Sequence, residues 1–274
     1  MFRKILFPTD FSKFAIDVFK NIPKLKNMGV GEIILMHVID IAKILGIGND
    51  FDFCSWIKCE ERKKLGNLSR LAELLQKHGF NAKYTLSVGD PATEIVNIAT
   101  KENTSVILIG CRGKSITKDI LIGSVCEGVI RKSKTSVLVV KNPKKLSNLF
   151  SKIVYAHDLS RYSNEIFECV KRVALQNESE VIILHVLENN MYQSAVKSKI
   201  NYIKNQLENL GIDADVIIAY GVPHREIPKI SEEQKASVIV VGSRGLDDSL
   251  PIGTVTDSVI RYSKIPVLMY KFLI

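Results

Sequence analysis

Short apolar runs recur along the chain, separated by longer stretches in which apolar residues return every three to four positions. The runs lie near 4–8, 32–38, 82–88, 105–110 and 136–140, and again near 152–156, 180–186, 213–219, 237–242 and 266–270. Their length and β-branched content read as strands. The slower periodicity between them reads as amphipathic helices, near 12–28, 56–79, 91–101 and 122–133 in the first half, with further helices between the strands of the second. Runs such as Ile107-Leu-Ile-Gly110 and Val137-Leu-Val-Val140 are apolar on both faces, as parallel strands covered by helices on both sides must be. Strict alternation of strand and helix predicts an α/β protein with a doubly wound parallel sheet.

The pattern occurs twice. KILFPTDFS at 4–12 matches KIVYAHDLS at 152–160, and EIILMHV at 32–38 matches EVIILHV at 180–186, both 148 residues apart. GDPATEI at 89–95 matches GVPHREI at 221–227, now 132 apart, so the second copy is 16 residues shorter between its second and third strands. Such internal repetition divides the 274 residues into two domains, read as 1–143 and 150–274. Lys141-Asn-Pro-Lys-Lys145 breaks the pattern and starts a linker that ends near Ser151. The stretch 39–59, with Gly46, Gly48 and the single tryptophan Trp56, has no counterpart in the second half. It reads equally as a lid or partner surface and as a surface excursion packed on its own domain.

Each fourth strand empties into a glycine-rich loop. Gly110-Cys-Arg-Gly113 is followed by nine residues and then Gly123-Ser124; Gly242-Ser-Arg-Gly245 is followed by seven and then Gly253-Thr254. A strand leading through glycines into a helix suits phosphate, because backbone N–H groups converge there and the helix start carries partial positive charge. In an open α/β sheet ligands bind beyond the carboxyl ends of the strands, where the strand order reverses. The first strand ends at Pro8-Thr9-Asp10. If it neighbours the fourth, Asp10 and the loop face one cleft, and Asp10 would accept hydrogen bonds from a ribose or base. Two local alternatives stay open. Ser124-Val-Cys-Glu127 reads as a capping box, so Ser124 either caps its helix or donates to a phosphate oxygen. Asp10, with Ser12, either touches the ligand or caps the first helix.

Charge adds an asymmetry. The net charge is +9, but residues 1–145 hold 24 Lys+Arg against 14 Asp+Glu, whereas residues 146–274 hold 14 against 15. Part of the excess follows the longer loop, as Arg112, Lys114, Lys118, Arg131, Lys132 and Lys134, and would attract an anion. The residues past Lys118 read equally as a solvated basic face. Nucleic-acid binding finds no interleaved aromatics or recognised motif.

Composition excludes other classes. With 46% hydrophobic and 24% charged residues the chain is not largely disordered. No apolar run approaches the ~18–20 residues of a membrane span, and the amino terminus enters a strand at once without a signal-peptide layout, so the cytoplasm is the expected compartment. Five cysteines, at 54, 59, 111, 126 and 169, form no CxxC pair and no zinc spacing, which reads as reduced thiols and no metal centre. Cys111 within the loop reads as a small residue tolerated in a tight turn, with a redox role as the lesser alternative. The loop is neither a Walker A sequence nor a dinucleotide fingerprint. No Ser/His/Asp or Cys/His arrangement is evident, and His37 and His185, at equivalent strand ends, read as structural. No residue is assigned a catalytic role.

PTDFS after the first strand, HV at the end of the second, GDPxxEI opening the third helix and G-x2-G-x9-G-(S/T) together resemble the universal stress protein family, in its ATP-binding branch. The resemblance covers essentially the whole chain as two tandem copies. It implies two five-stranded parallel sheets of order 3-2-1-4-5, an adenine nucleotide alpha hydrolase-like fold. It also implies binding of ATP, ADP or AMP with Mg²⁺ as an accompanying ion, and dimerisation through the last strand. Carried over, Pro8, Thr9 and Asp10 line the adenosine pocket with the backbone of Val38 facing the base. Gly110, Arg112, Gly113, Gly123 and Ser124 hold ribose and phosphates, with Val125 and Cys126 beside them. In the second copy Asp158, Val186, Gly242, Arg244, Gly245, Gly253 and Thr254 take these places. That copy departs from the pattern: Pro8-Thr9 becomes Ala156-His157, the loop loses two residues and gains Pro251, and Asp247-Asp248 would repel a phosphate. The last strands, 137–140 and 267–270, are sheet edges in this topology, and edges invite pairing, so an internal pseudo-dimer of the two domains is expected, or a homodimer. The implied function is a nucleotide-dependent stress-response regulator that signals to a protein partner, with the ligand mainly in the first domain. The alternatives are a weak ATPase or phosphotransfer enzyme and a nucleotide-free interaction module.

Overall fold

The computed structural model describes residues 2–43, 53–111, 122–160, 162–188, 193–244 and 252–271. Contacts divide the chain into two units, meeting between Thr135 and Ser136. The amino-terminal unit holds strands β1 (Lys4–Pro8), β2 (Glu32–Asp40), β3 (Asn81–Gly89) and β4 (Val106–Gly110), with helices α1 (Lys13–Phe19), α2 (Phe53–Lys77), α3 (Pro91–Lys101) and α4 (Ser124–Lys132). β1 pairs in parallel with β2 from Lys4↔Glu32 to Pro8↔Met36, and on its other side with β4 through Ile5↔Val106 and Leu6↔Ile107. β3 lies parallel beyond β2. The order is β3-β2-β1-β4, so the winding direction reverses between β1 and β4, where open α/β sheets take their ligands.

Both sheet faces are buried. Ile5, Leu6 and Phe7 follow one another along β1 and none is more than 2% exposed, although alternate residues point to opposite faces. This is the helix-covered sheet that the uninterrupted apolar runs predict. The long helix α2 turns Leu68, Ala72 and Leu75 inward at helical spacing. The predicted helix over 12–28 is a different matter. α1 ends at Phe19, and a 3₁₀ helix follows over Ile22–Met28 with Pro23 in its first turn and Gly29 closing it at φ 78°. Pro23 has no N–H to give and its ring crowds the carbonyl four residues back, which disfavours continuing the α-helix through it.

The carboxy-terminal unit holds β5 (Ser136–Val140), β6 (Lys152–Ala156), β7 (Glu180–Leu187), β8 (Ala214–Tyr220), β9 (Val238–Gly242) and β10 (Val267–Tyr270), with α5 (Ser163–Asn177), α6 (Gln193–Glu208), α7 (Pro223–Glu233) and α8 (Thr254–Tyr262). Its parallel pairings run β8-β7-β6-β9-β10, which is 3-2-1-4-5 when the strands are numbered within their own repeat. β5, the last strand of the first sequence repeat, lies antiparallel on β10 with Val267↔Val139, Leu268↔Leu138 and Met269↔Val137. Every residue of β5 is buried. The stretch between the repeats is packed too: Pro143–Asn148 form a 3₁₀ helix, and Leu146, Leu149 and Phe150 are buried.

α3 and α4 pack closely because of one glycine. A Cβ built on Gly128 of α4 would stand 2.6 Å from the Cβ of Ala92 on α3. Gly66, exposed in α2, has nothing within 4 Å of the same position. Two opposite outcomes follow for the denaturation midpoint. Gly128→Val should destabilise by about 1–3 kcal/mol through overpacking, whereas Gly66→Ala should stabilise by roughly 0.5–1 kcal/mol through helix propensity.

Candidate functional site

At the end of β1 the ladder runs one residue further, with the Thr9 N–H donating to Met36 O at 2.8 Å. The chain then turns through Phe11 at φ 58°, a left-handed conformation that costs a side-chain-bearing residue roughly 1–2 kcal/mol. Two side chains offset that cost. Thr9 Oγ1 accepts the Phe11 N–H at 3.1 Å, and Asp10 Oδ1 accepts the Ser12 N–H at 2.9 Å. Ser12, not Asp10, caps α1, its Oγ accepting from Ala15 N at 3.2 Å. From β2, His37 places Nδ1 2.7 Å from the Thr9 carbonyl. A carbonyl only accepts, so Nδ1 carries the proton. His37 therefore has the structural place its position suggests. Asp10 Oδ2 has no hydrogen-bond partner among the described residues.

β4 delivers Gly110 beside this turn. A Cβ there would meet Phe14 Cε1 at 2.9 Å, so glycine lets α1 lie against the strand end. The loop that follows is closed at its base, the Gly123 N–H donating to Cys111 O at 3.1 Å. Gly123 is the N-cap of α4, at φ −77° and ψ 150°, and Ser124 is the first helical residue, exposed. The capping box is thereby corrected: closure onto Cys111 places the extended residue at Gly123, one position before the serine. A glycine cap has no side chain to satisfy the amides of the first turn, which leaves that turn suited to an external anion. Val125 is exposed and Cys126 buried; Val38 lies in β2 opposite Ser87 of β3.

Of the basic residues after the loop, Arg131 pairs with Glu127 at 3.3 Å along α4, and Lys132 reaches Asp90 at 3.1 Å at the start of α3. These two serve the helix surface rather than the loop. Arg112, Gly113, Lys114 and Lys118 lie outside the described residues, as does the 44–52 part of the stretch read as a lid or partner surface.

The carboxy-terminal unit repeats the turn with altered chemistry. Leu159 takes φ 61°, Asp158 Oδ1 accepts the Ser160 N–H at 3.0 Å, and His185 Nδ1 sits 2.6 Å from the His157 carbonyl. One contact is new and one acceptor is exchanged. Ser163 Oγ donates to Asp158 at 2.5 Å, on the same Oδ1 that accepts from Ser160. His157, in the place of Thr9, accepts the Leu159 N–H on Nδ1 at 2.9 Å. The neutral ring then holds its proton on Nε2, which is buried without a hydrogen-bond partner. Burial pushes the His157 pKa down from 6.5 to about 4.

At the other loop the Gly253 N–H closes onto Ser243 O at 2.8 Å, and Gly253 caps α8 as Gly123 caps α4. Thr254 is exposed, and Thr256 donates to the Gly242 carbonyl at 2.6 Å. Val186 pairs with Ala219 in β8. Arg244 is half-exposed; burial, with the Arg244 charge adding, lowers the Lys271 amine to about 8. Gly245, Asp247, Asp248 and Pro251 lie outside the described residues. Sequence reading missed the side chains that stabilise the left-handed residue. The Asp-x-Ser spacing was their available signal, since Asp accepts from the N–H two residues on.

The fold and these strand ends define a tandem, doubly wound α/β protein whose switch points carry an Asp-anchored turn and a glycine-capped helix. The universal stress protein family matches residues 1–141 and 149–271, and the chain belongs to that family. A universal stress protein of Methanocaldococcus jannaschii is 37% identical over 155 residues, 52% of this chain and 96% of its own length. A second from that organism is 30% identical over 147 residues, covering 53% and 85%. The crystal structure of a universal stress protein from Archaeoglobus fulgidus matches 99% of both chains with a TM-score of 0.82 and 31% identity.

The depressed His157 pKa has a definite sign. Protonation favours the unfolded chain, so the stability present above pH 6.5 is lost as the pH falls through about 4. His157→Thr, which restores the residue of the first repeat, should shrink the loss of urea midpoint between about pH 7 and about pH 4.5. An unchanged loss would show that His157 does not carry it.

Proposed function

We propose that the amino-terminal unit binds an adenine nucleotide, ATP, ADP or AMP, and that the bound state is read by a protein partner in the cytoplasm. The observation that carries this reading is the glycine-capped start of α4, following β4, the neighbour of β1, whose turn presents Asp10. The residues fit the ligand chemically. The first turn of α4 offers amide donors and the Ser124 hydroxyl to phosphate. Asp10 Oδ2 is an acceptor for a ribose hydroxyl, Pro8 and Thr9 complete the strand end, and Val38 supplies backbone on the adjacent strand. Arg112 and Gly113 follow Gly110 in the sequence and belong to the same proposed set, with Mg²⁺ accompanying the phosphates.

The second copy is read as the weaker site. Its Asp158 already accepts from Ser160 and Ser163, and its shorter loop contains Pro251 and two acids. Gly242, Arg244, Gly245, Gly253, Thr254 and Val186 would form what remains of it. The antiparallel β5–β10 pairing supports the last strands of the repeats as the elements through which they associate. Among the described residues no helix is long and apolar enough to cross a membrane.

Titration calorimetry with ATP and AMP tests the asymmetry. Asp10→Asn keeps the oxygen that accepts from Ser12 and should weaken binding about tenfold. Gly123→Val should weaken it at least as much, by crowding the amides where phosphate must approach. Gly253→Val should change it by less than about twofold. Equal losses at Gly123 and Gly253 would overturn the asymmetry, and absence of nucleotide binding would leave the interaction-module reading.

A further inference from the structure

In the carboxy-terminal unit β10 is flanked on both sides, by β9 and β5, so the last strand of the second repeat offers no edge. β8 does offer one. It pairs with β7 alone among the described residues. The Asp213 carbonyl accepts from Val181 and the Gly221 N–H donates to Leu187, so the odd-numbered residues turn their backbone groups to β7. Alternation then puts the N–H and C=O of Val216, Ile218 and Tyr220 on the outer side, where no described residue meets them. Groups in that state fit an extended strand.

β8 has also lost what protects the equivalent edge in the first repeat. On β3 the Gln76 side chain donates to the Ala82 carbonyl at 3.0 Å, and Lys83 is held by Glu32 at 3.0 Å. The repeat offset puts Glu208, a carboxylate with no N–H to give, in the place of Gln76. Thr85 and Ser87 become Ile217 and Ala219, and Asp90 becomes Val222. Asp90 caps α3 by accepting from Thr93 at 2.9 Å, whereas Val222 stands at the start of α7 with no side-chain bond and is 44% exposed. Arg225, in the first turn of α7, replaces Thr93, although a cation at a helix start opposes the helix dipole. The missing cap and the basic first turn both weaken the chain by itself, and both lie at the end of the bare edge.

Charge selects the strand that fits. The start of β8 is acidic, at Asp213 and Asp215, and the chain just beyond its end is basic, at Arg225. Asp213 and Arg225 make no ion pair among the described residues, and Asp215 is 71% exposed with Lys204 at 4.0 Å. A second β8 laid antiparallel brings the acidic end of each copy to the basic end of the other. β3 of another copy does not fit antiparallel, since Asp90 would approach Asp215 and Lys83 would approach Arg225. Laid parallel, β3 would present the edge that Gln76 already covers.

We propose that two copies of this chain associate through β8, antiparallel about a twofold axis at Ile218. Ile218 then pairs with its own equivalent and Val216 with Tyr220, which closes about six backbone hydrogen bonds. Such a contact is isologous and stops at the dimer. It shares no residue with the proposed nucleotide sites and rests on no part of that reading.

The test is sedimentation equilibrium of the full chain without nucleotide, with amide hydrogen exchange followed by NMR. A monomer–dimer equilibrium is expected between about 1 and 100 μM. As the dimer forms, the Val216, Ile218 and Tyr220 amides should gain protection, while those of Ile217 and Ala219 are protected throughout. Ile218→Pro, tolerated on an edge strand where the N–H faces outward, should abolish the dimer and leave the circular dichroism unchanged. Arg225→Asp should weaken association about tenfold, and adding Asp213→Arg should restore it. Monomer alone up to about 100 μM would overturn the proposal. So would a dimer that survives Ile218→Pro in a variant shown folded, or that is indifferent to Arg225→Asp. Open-ended growth would overturn it as well, because that requires a head-to-tail contact.

Discussion

The fold depends at each switch point on one hydrogen bond between a histidine ring and a backbone carbonyl. His37 holds the Thr9 carbonyl at 2.7 Å, and His185 holds that of His157 at 2.6 Å. In each case the carbonyl has just left the end of a central strand, where the ladder no longer satisfies it. A buried carbonyl without a partner costs more than a hydrogen bond returns, so the histidine from the neighbouring strand fixes the path of the turn. With that path set, the next residues are committed: a left-handed residue, an aspartate accepting two positions on, and a helix. The aspartate is then delivered to the carboxyl end of the sheet, near the glycine that ends the adjacent strand.

The same scaffold carries different chemistry in its two copies because the residues around the strap differ while the strap does not. In the first, the Thr9 hydroxyl accepts the Phe11 N–H and Asp10 accepts from Ser12. In the second, an imidazole replaces the threonine hydroxyl, and a serine on α5 takes hold of the aspartate. The second adds a helix hydroxyl to the aspartate oxygen that already accepts from the backbone and leaves the His157 Nε2 buried without a partner. The two copies thus share the part that positions the chain and differ in the residues around it.

Much of this was legible from residues. Apolar runs without alternation implied strands buried on both faces, and the strand positions agree closely with those expected. The glycines marked both loops, and the offset between repeats aligned His37 with His185 before their common role was visible. Other features depend on contacts that local pattern does not encode. S-x-x-E is a sound capping signal, but the bond from Gly123 to Cys111 moved the cap back by one residue. The amphipathic period ran on through 12–28, while Pro23 stopped the helix in the space available. Arg131 and Lys132 read equally as loop cations and as a basic helix face, and their pairing with Glu127 and Asp90 favours the face.

The sequence by itself determined the duplication, the α/β class, the strands, and the residue types at each strand end. Those follow from periodicity and from identities a fixed distance apart, which are properties of the string. Only the tertiary structure decided the antiparallel register of β5 on β10, that Gly123 rather than Ser124 caps α4, and that the His157 Nε2 is buried without a partner. Each of these depends on which distant backbone group comes within hydrogen-bonding range, and that is set by packing rather than by neighbouring residues along the chain.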